Sequence, residues 1–396
     1  MSADPFNLQI ELLPSIGEVA QSDWNSLNQN DYPFTKHQFL SALETSGCVG
    51  KDTGWHPRHI VIYQNSKLVA AMPCYRKDHS YGEYVFDWSW AQAYQQNGLD
   101  YYPKLVSAIP FTPVPGSRLL CKKNADEALL MRALLAAVQS RAKSAGYSGW
   151  HLLFPEAEFL KSCTELQLLK REDVQFHWHN HNYQSFDDFL KTLRSSKRKQ
   201  LRRERRIVAD QGIEMRRYSG NQGGDQIDAK ILESFYICYC QTYLRRSGHS
   251  GYLNQRFFEE VLESIGDQIM IVLALKDEQP VAASLFLFDS AKLYGRYWGC
   301  TADVDCLHFE ACYYQGIEFA IERGLTEFNP GTQGEHKLVR GFEPTKTYSL
   351  HWVEDQRFQS ALEEFMQRES DYKTEYQMAA REALPFRQDD RSGKTE

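Results

Sequence analysis

The nine cysteines of the sequence include no CxxC pair. Cys238 and Cys240 are two apart and Cys300, Cys306 and Cys312 are six apart. Neither spacing builds a zinc site, so the thiols read as reduced cysteines of a reducing compartment and no metal is expected. Long apolar runs are missing too. The most apolar window, 269–288, is broken by Lys276, Asp277, Glu278 and Pro280, short of the ~20 apolar residues of a membrane span. The opening MSADPFNLQIELLPSIGEVAQ carries acids and a proline where a secretory signal needs a basic start and an apolar stretch, and a cytoplasmic location is expected. There is no Walker A loop, no GxGxxG and no GxSxG, which leaves nucleotide hydrolysis, hydride transfer and serine hydrolysis without support.

What is present is core material. The 396 residues are 42% hydrophobic and 13% aromatic, enough for two or three globular domains and too apolar for extensive disorder. Net charge is only −7, from 45 basic and 52 acidic residues, but the average conceals a segment. Lys191–Arg206 (KTLRSSKRKQLRRERR) holds nine basic residues and one acid, a net of +8, which leaves −15 for the rest. Ser185 with Asp188 resembles a capping box, and Phe186, Phe189, Leu190, Leu193, Leu201 and Val208 keep helical spacing as far as Gly212, predicting one amphipathic helix with a cationic outer face. Such a face is either solvated surface paired with acids elsewhere or an anchor for phosphate, with Lys197, Arg198 and Arg202 as candidate donors.

The sequence also repeats. Ile60–Tyr84 lies over Val272–Tyr297, matching Val69-Ala70-Ala71 to Val281-Ala282-Ala283 at an offset of 212 and Tyr81-Gly82-x-Tyr84 to Tyr294-Gly295-x-Tyr297 at 213. Each copy reads as a β-branched run, a polar turn, a second apolar run, another turn and an aromatic third strand: an antiparallel meander, twice. Each is followed by a helix closed by glycine and a short strand, Glu127–Ala145 with Gly146 and then 150–154, and Phe309–Arg323 with Gly324 and then 325–329. The pattern alone predicts an α+β unit in tandem.

The stretches HSYGEYVFDWSWAQAY (79–94), YYPKLVSAIPFTPVPGSRLL (101–120), FDDFLKTLRSSKRKQLRRERR (186–206) and NPGTQGEHKLVRGFEP (329–344) resemble the FemAB-like proteins of the N-acetyltransferase (GNAT) superfamily, also described as peptidoglycan biosynthesis/recognition proteins, from about residue 10 to 385. The resemblance implies α+β architecture with two tandem GNAT-like domains, expected at 1–170 and 171–385. The second would include the basic helix 186–210 and a C-terminal helix, with 386–396 a flexible tail. It also implies acyl- or aminoacyltransferase ancestry, since the Fem peptidyltransferases move amino acids from aminoacyl-tRNA to a peptidoglycan precursor. The co-substrate would be an acyl donor, aminoacyl-tRNA or acyl-CoA, and the acceptor a small-molecule or peptide amine, with tRNA or a nucleotide-linked ligand at the basic helix. Similarity to Fem enzymes, which carry a lysine after the second-half strand, would make Lys337 the cation that stabilises the oxyanion or grips the donor.

Acyl transfer to an amine needs an oxyanion donor, a base and a proton source. In Gln333–Phe342, Glu335 or His336 can serve as base, and Gln333, Arg340 and the aromatic Tyr297 are candidate substrate contacts. Read as a strand, 83–90 places Glu83, Val85 and Asp87 on one face and Tyr84, Phe86 and Trp88 on the other. The two acids then either bind an amine-bearing acceptor, with Trp88 beside it, or pair with Lys104 or Arg118. His177, His179 and His181 share a face if their segment is a strand, but in-line imidazoles ~6–7 Å apart rarely converge on one ion. Acetyl-CoA-dependent GNAT enzymes carry a glycine-rich pyrophosphate loop after the fourth strand. Tyr297–Asp305 has one glycine and two acids there, which weighs against an ordinary N-acetyltransferase. The remaining alternative is a non-catalytic module recognising a phosphate-bearing ligand, a cell-wall precursor or RNA.

Overall fold

The computed structural model describes residues 8–220, 226–332 and 334–387. Its contacts divide into two units, one comprising residues up to Asp173 with Lys346–Lys373, the other Val174–Thr345 with residues from Thr374 on. Among the described residues no helix is long and apolar enough to cross a membrane.

The first unit runs β1 (Leu8–Leu13), α1 (Gln21–Asn25), α2 (His37–Thr45), β2 (Trp55–Pro57), β3 (His59–Gln64), β4 (Lys67–Met72), β5 (Tyr75–Lys77), α3 (Trp88–Gln96), β6 (Lys104–Ser107), β7 (Leu120–Cys121), α4 (Glu127–Ala145) and β8 (Gly149–Leu153). β1, β3, β4 and β7 form an antiparallel sheet in that order. The β3–β4 hairpin turns on Asn65 and Ser66, both at positive φ, as the strand twist of a tight hairpin requires. β5 pairs antiparallel with β2 and β6, and β6 runs parallel to β8. α4 makes the crossover: Asp126 accepts from the Leu129 N–H, Gly146 closes the helix at φ 70, and Leu130, Met131, Leu134 and Val138 are buried, packing in one cluster with Leu105, Trp150 and Leu152.

The aromatic third strand predicted through Tyr84 is absent. After β5 the chain curls irregularly through Tyr84, at φ 60, and enters α3 at Trp88. The reason is electrostatic. In a strand, Glu83 and Asp87 would lie roughly 13 Å apart at ~3.3 Å per residue, yet both carboxylates bind the one ammonium of Lys104.

The second unit takes over within β9 (Leu169–His179) and continues through α5 (Phe186–Thr192), α6 (Ser195–Asp210), β10 (Ile213–Ser219), α7 (Ala229–Ser247), α8 (Gln255–Ile265), β11 (Ile269–Lys276), β12 (Gln279–Phe288), β13 (Lys292–Cys300), α9 (Leu307–Phe309), a π-helical turn at Glu310–Tyr314, α10 (Gln315–Glu322) and β14 (Glu327–Asn329). Its strands order as β10-β11-β12-β13-β14-β9. The first four are antiparallel, and β13 pairs in parallel with β14. Here the predicted meander and crossover are both present. An antiparallel run, a crossover helix and a parallel strand make each unit a GNAT-type core, and the fold is two such α+β units in tandem.

The basic segment is two helices, not one. Between them the chain is extended at Leu193 and Arg194, where the Arg194 N–H donates to the Pro385 carbonyl at 2.8 Å and the Arg387 N–H donates to that of Thr192 at 3.0 Å. A C-terminal segment thus takes the backbone groups that a continuous helix would use internally.

The chain also returns to the first unit. β15 (Glu343–Val353) pairs with β8 over Ser349–Val353. α11 (Gln356–Glu382) packs Leu362 and Met366 with Trp90 and Tyr94, while Arg171 grips Glu369 through two bonds of 2.6 and 2.7 Å. So 346–373 belong with the first unit, unlike the single division after residue 170 expected from sequence, and Phe386 is buried in the second unit's core. Residues 388–396 of the expected tail lie outside the described residues.

Gly299 of β13 sits where a Cβ would press into the backbone of Cys238 and Tyr239 on α7, and Thr242 of that helix accepts from the Cys300 N–H at 3.0 Å. Gly299→Ala should lower stability by about 2–4 kcal/mol in chemical denaturation, because backbone on both sides resists moving; a change below ~0.5 kcal/mol would show the helix is free to shift.

Candidate active site

Parallel pairing between β13 and β14 lasts only from Lys292–Tyr294 to Glu327–Asn329. β13 continues to Cys300 while the other strand turns away at Pro330, and a cavity of about 70 Å³ opens in the gap. Gly295, Tyr297 and Trp298 wall it from β13, and His308, Cys312 and Tyr313 wall it from the crossover. Gly295 matters here: a Cβ would come within 3.3 Å of both Phe328 and the Pro330 Cα.

Beyond Pro330 the chain passes Gly331 and Gly334, both at positive φ, and forms a 3₁₀ turn over Glu335–Arg340. Within it Lys337 is 1% exposed. Its Nζ donates to the Gly331 carbonyl at 2.5 Å, and no carboxylate among the described residues pairs with it. Burial without a counter-charge pushes it down to about 7, so near neutral pH it exchanges between ammonium and amine. The turn is clamped by Arg340, which donates to Glu204 of α6 at 2.8 Å and to the His336 carbonyl at 2.6 Å, with its guanidinium 3.4 Å from the Phe309 ring centre. The π-helical turn presents neighbouring tyrosines to different partners: Tyr313 meets His336 Nε2 at 2.8 Å, and Tyr314 donates to Glu204. Widened turns of this kind recur at functional sites. Burial, with Arg340 and Lys337 nearby, depresses His336, and burial first, then His336, brings His308 to about 3. Both imidazoles are neutral at physiological pH.

The candidates from sequence therefore separate. Lys337, His336, Arg340 and Tyr297 gather at or beside the slot. Glu335 is exposed and accepts from the Tyr376 hydroxyl at 2.9 Å. Gln333 lies outside the described residues. On the basic helix, Arg202 pairs with Asp187 at 2.9 Å, and Arg205 pairs with Glu310 and Glu318. Lys197 and Arg198 are half-buried, whereas Lys199, Arg203 and Arg206 are exposed. His177 and His181 bind Glu327 and Glu343 separately.

The remaining candidates lie in the first unit. Lys104 sits 2.9 Å from Glu83 and 3.1 Å from Ser80 Oγ, and contacts Asp87. Burial opposes its charge, but the two acids outweigh it and raise the lysine. Burial carries Glu83 up to about 7, while for Asp87 the pull of Lys104 overcomes burial and holds the carboxyl low. Ligand atoms of Glu83, Asp87 and His151 lie within 4.8 Å of one another, a metal-like trio, but the ammonium already fills the cation's role. Trp88 stands apart, 45% exposed on α3. Arg118 meets neither acid; it donates to the carbonyls of Leu153, Gly116, Ser117 and Val114.

Sequence reasoning missed His308, Tyr313 and Glu204. His308 and Tyr313 are five apart, the spacing of a π-turn rather than of the helix read there, and Glu204, the single acid in the basic run, counted only as a unit of charge.

Two GNAT-type units in one chain, the second holding a splayed-strand slot, define the class. A model of the FemAB-like family, described as peptidoglycan biosynthesis/recognition, matches residues 15–388, and the chain belongs to that family. Its fold is similar to the crystal structure of FemX (TM-score 0.52, 10% identity, covering 87% of this chain and 98% of that one). It is also similar to the C-terminal domain of a putative lysylphosphatidylglycerol synthetase from Agrobacterium fabrum (TM-score 0.54, 11% identity, 89% and 95%) and to a conserved protein of unknown function from Bacteroides thetaiotaomicron (TM-score 0.50, 9% identity, 87% and 99%). No curated protein sequence matches it.

The two lysines make opposite predictions. Lys104→Met strands two buried carboxylates, so unfolding at pH 8 should show a loss of about 3–5 kcal/mol that shrinks toward pH 5 as they take up protons; a neutral substitution would contradict the ion triplet. Lys337→Met removes a buried charge that no carboxylate among the described residues pairs with. Because folding lowers this lysine from 10.5 to about 7, the cost of burying its charge is full below pH 7 and gone above about pH 10.5. The variant should melt higher than the parent at pH 6, with the gap closing toward pH 10; a lower melting point at pH 6 would mean that Lys337 has a stabilising partner.

Proposed function

We propose that the chain is an acyl- or aminoacyltransferase, with the donor carbonyl held in the slot of the second unit and an amine as acceptor. The observation that carries this reading is Lys337: a buried lysine with which no carboxylate among the described residues pairs, in the turn that follows Pro330 of the slot and within electrostatic reach of Cys312 in its wall. In its ammonium form Lys337 stabilises the oxyanion that forms when the amine attacks the carbonyl. Neutral His336, bonded to Tyr313, accepts the proton that the attacking amine releases and returns it to the leaving oxygen as the tetrahedral intermediate collapses and the donor's acyl C–O bond breaks.

The donor is better read as an aminoacyl ester than as acyl-CoA. The approach to α9 is lined by Asp303 and Asp305 instead of a glycine-rich anion cradle, and among the described residues Asp303 pairs with Arg245 alone, at 3.5 Å. Phosphate contacts would come from the exposed cations of α6, Lys199, Arg203 and Arg206, as a tRNA-borne donor requires. The family description favours a peptidoglycan-precursor amine as acceptor.

Lys337→Ala should reduce turnover of a charged-tRNA donor by about 10²–10³-fold while donor affinity, read by filter binding, changes little. The parent rate should fall as pH rises through about 7, the folded-state value of Lys337, because the ammonium is the active form. Unchanged turnover in Lys337→Ala, or no consumption of any acyl donor, would leave the recognition-module reading in its place.

A further inference from the structure

One surface of the first unit departs from the composition of the chain. Residues 79–99 contain two charged side chains, Glu83 and Asp87, where a chain 24% charged would place about five. Both are buried and turned inward onto Lys104. His79 is held below its ordinary value, by burial first and then by Lys77, and is neutral at physiological pH. What the segment shows to solvent therefore has no formal charge: Tyr81, Phe86 and Trp88, 57%, 63% and 45% exposed, and along α3 the exposed Ser89, Gln92, Gln95 and Gln96. Aromatic enrichment with depletion of Lys, Glu and Asp is what distinguishes protein-binding patches from the rest of a surface.

The backbone beneath the exposed rings is pinned. The Tyr81 carbonyl accepts from Trp55 Nε1 at 3.1 Å and from Lys77 Nζ at 3.3 Å, and the Phe86 carbonyl accepts from Arg171 at 2.7 Å. Asp87, the residue before Trp88, is fixed by Lys104 and by the Tyr101 hydroxyl at 2.6 Å. Side chains presented from an ordered backbone lose less entropy on contact, which is how a few rings can hold a partner. The rings also make a row: His79 meets Tyr81, and Tyr81 meets Trp88, each edge-on at 5.2 Å, with furrows between them.

The chemistry of this face selects its occupant. The cations at its border are already committed, Arg76 to Asp78 and Arg171 to Glu369, so nucleic acid and anionic lipid would meet no spare counter-charge. A bilayer would also strip water from the glutamine amides of α3. What the row offers is flat ring surface with two solvent-facing donors, the Tyr81 hydroxyl and the Trp88 indole N–H, and it fits a neutral peptide that brings apolar surface and acceptors. Proline supplies both, an apolar ring and a carbonyl with no N–H, and proline-rich chains form the polyproline II helix that aromatic-lined grooves recognise. The two 5.2 Å steps give a row of up to about 10 Å, against ~9 Å for one three-residue turn of that helix.

We infer that the 79–99 face docks an uncharged, proline-rich segment of a partner protein in the polyproline II conformation. Fluorescence anisotropy of a labelled, capped decaproline mixed with the full chain should show saturable binding with Kd below about 1 mM. That Kd should change less than about twofold between about 50 and 500 mM salt, as a neutral ligand requires. Trp88→Ala and, separately, Tyr81→Ala, both at exposed positions, should each weaken binding at least about fivefold with the circular dichroism spectrum unchanged. Lys337→Ala should bind decaproline as the parent does, so the outcome is independent of the proposed acyl transfer. Absence of binding at millimolar decaproline, equal binding by both ring variants, equal binding of a glycine–serine decapeptide, or Trp88-dependent binding of phosphatidylglycerol vesicles in place of the peptide would each overturn it.

Discussion

Arg340 and Glu204 form a buried salt bridge that determines where Lys337 can be. Arg340 closes the 3₁₀ turn that carries the lysine, and Glu204 projects from the inner face of α6, where Tyr314 also reaches it. Each charge is compensated only by that geometry, so breaking one side would strand the other in the core, a penalty of about 3–5 kcal/mol. The bridge therefore joins three pieces: the loop after β14, the widened turn of the crossover and the basic helix. A helix cationic on its outer face and anionic at one inner position has two duties, and the lone acid of the 191–206 basic run performs the second.

The two buried lysines show how one residue type acquires opposite chemistry. Lys104 is given two carboxylates and is held charged, a structural cation that curls the 83–87 loop around itself. Lys337 is given a carbonyl and, among the described residues, no carboxylate, and is brought close to neutrality at physiological pH. Burial opposes the charge in both; the presence or absence of acids within reach decides which side prevails.

Much of the second unit and the crossover of the first were legible in sequence because their signals are local. The turn residues of the meander, the apolar spacing of α4 and the glycines at 146 and 324 act within a few residues. The first unit's third strand misled for the opposite reason: alternation through Tyr84, Phe86 and Trp88 satisfies a strand pattern, but a lysine some twenty residues later draws both neighbouring acids to one point. The break at Leu193–Arg194 has the same character, since the partners that replace helical hydrogen bonds come from 384–387.

By itself, then, the sequence determined the tandem α+β plan, the family and the loop that holds Lys337, because periodicity, turn chemistry and extended motifs are properties of neighbouring residues. Only the tertiary structure decided which charges are balanced. It paired Glu83 and Asp87 with Lys104, sent Arg118 to backbone carbonyls, gave Arg340 to Glu204 and left Lys337 with none among the described residues. A residue's charge can be read from its name, but its counter-charge depends on which distant segment packs against it, and that is settled by the fold.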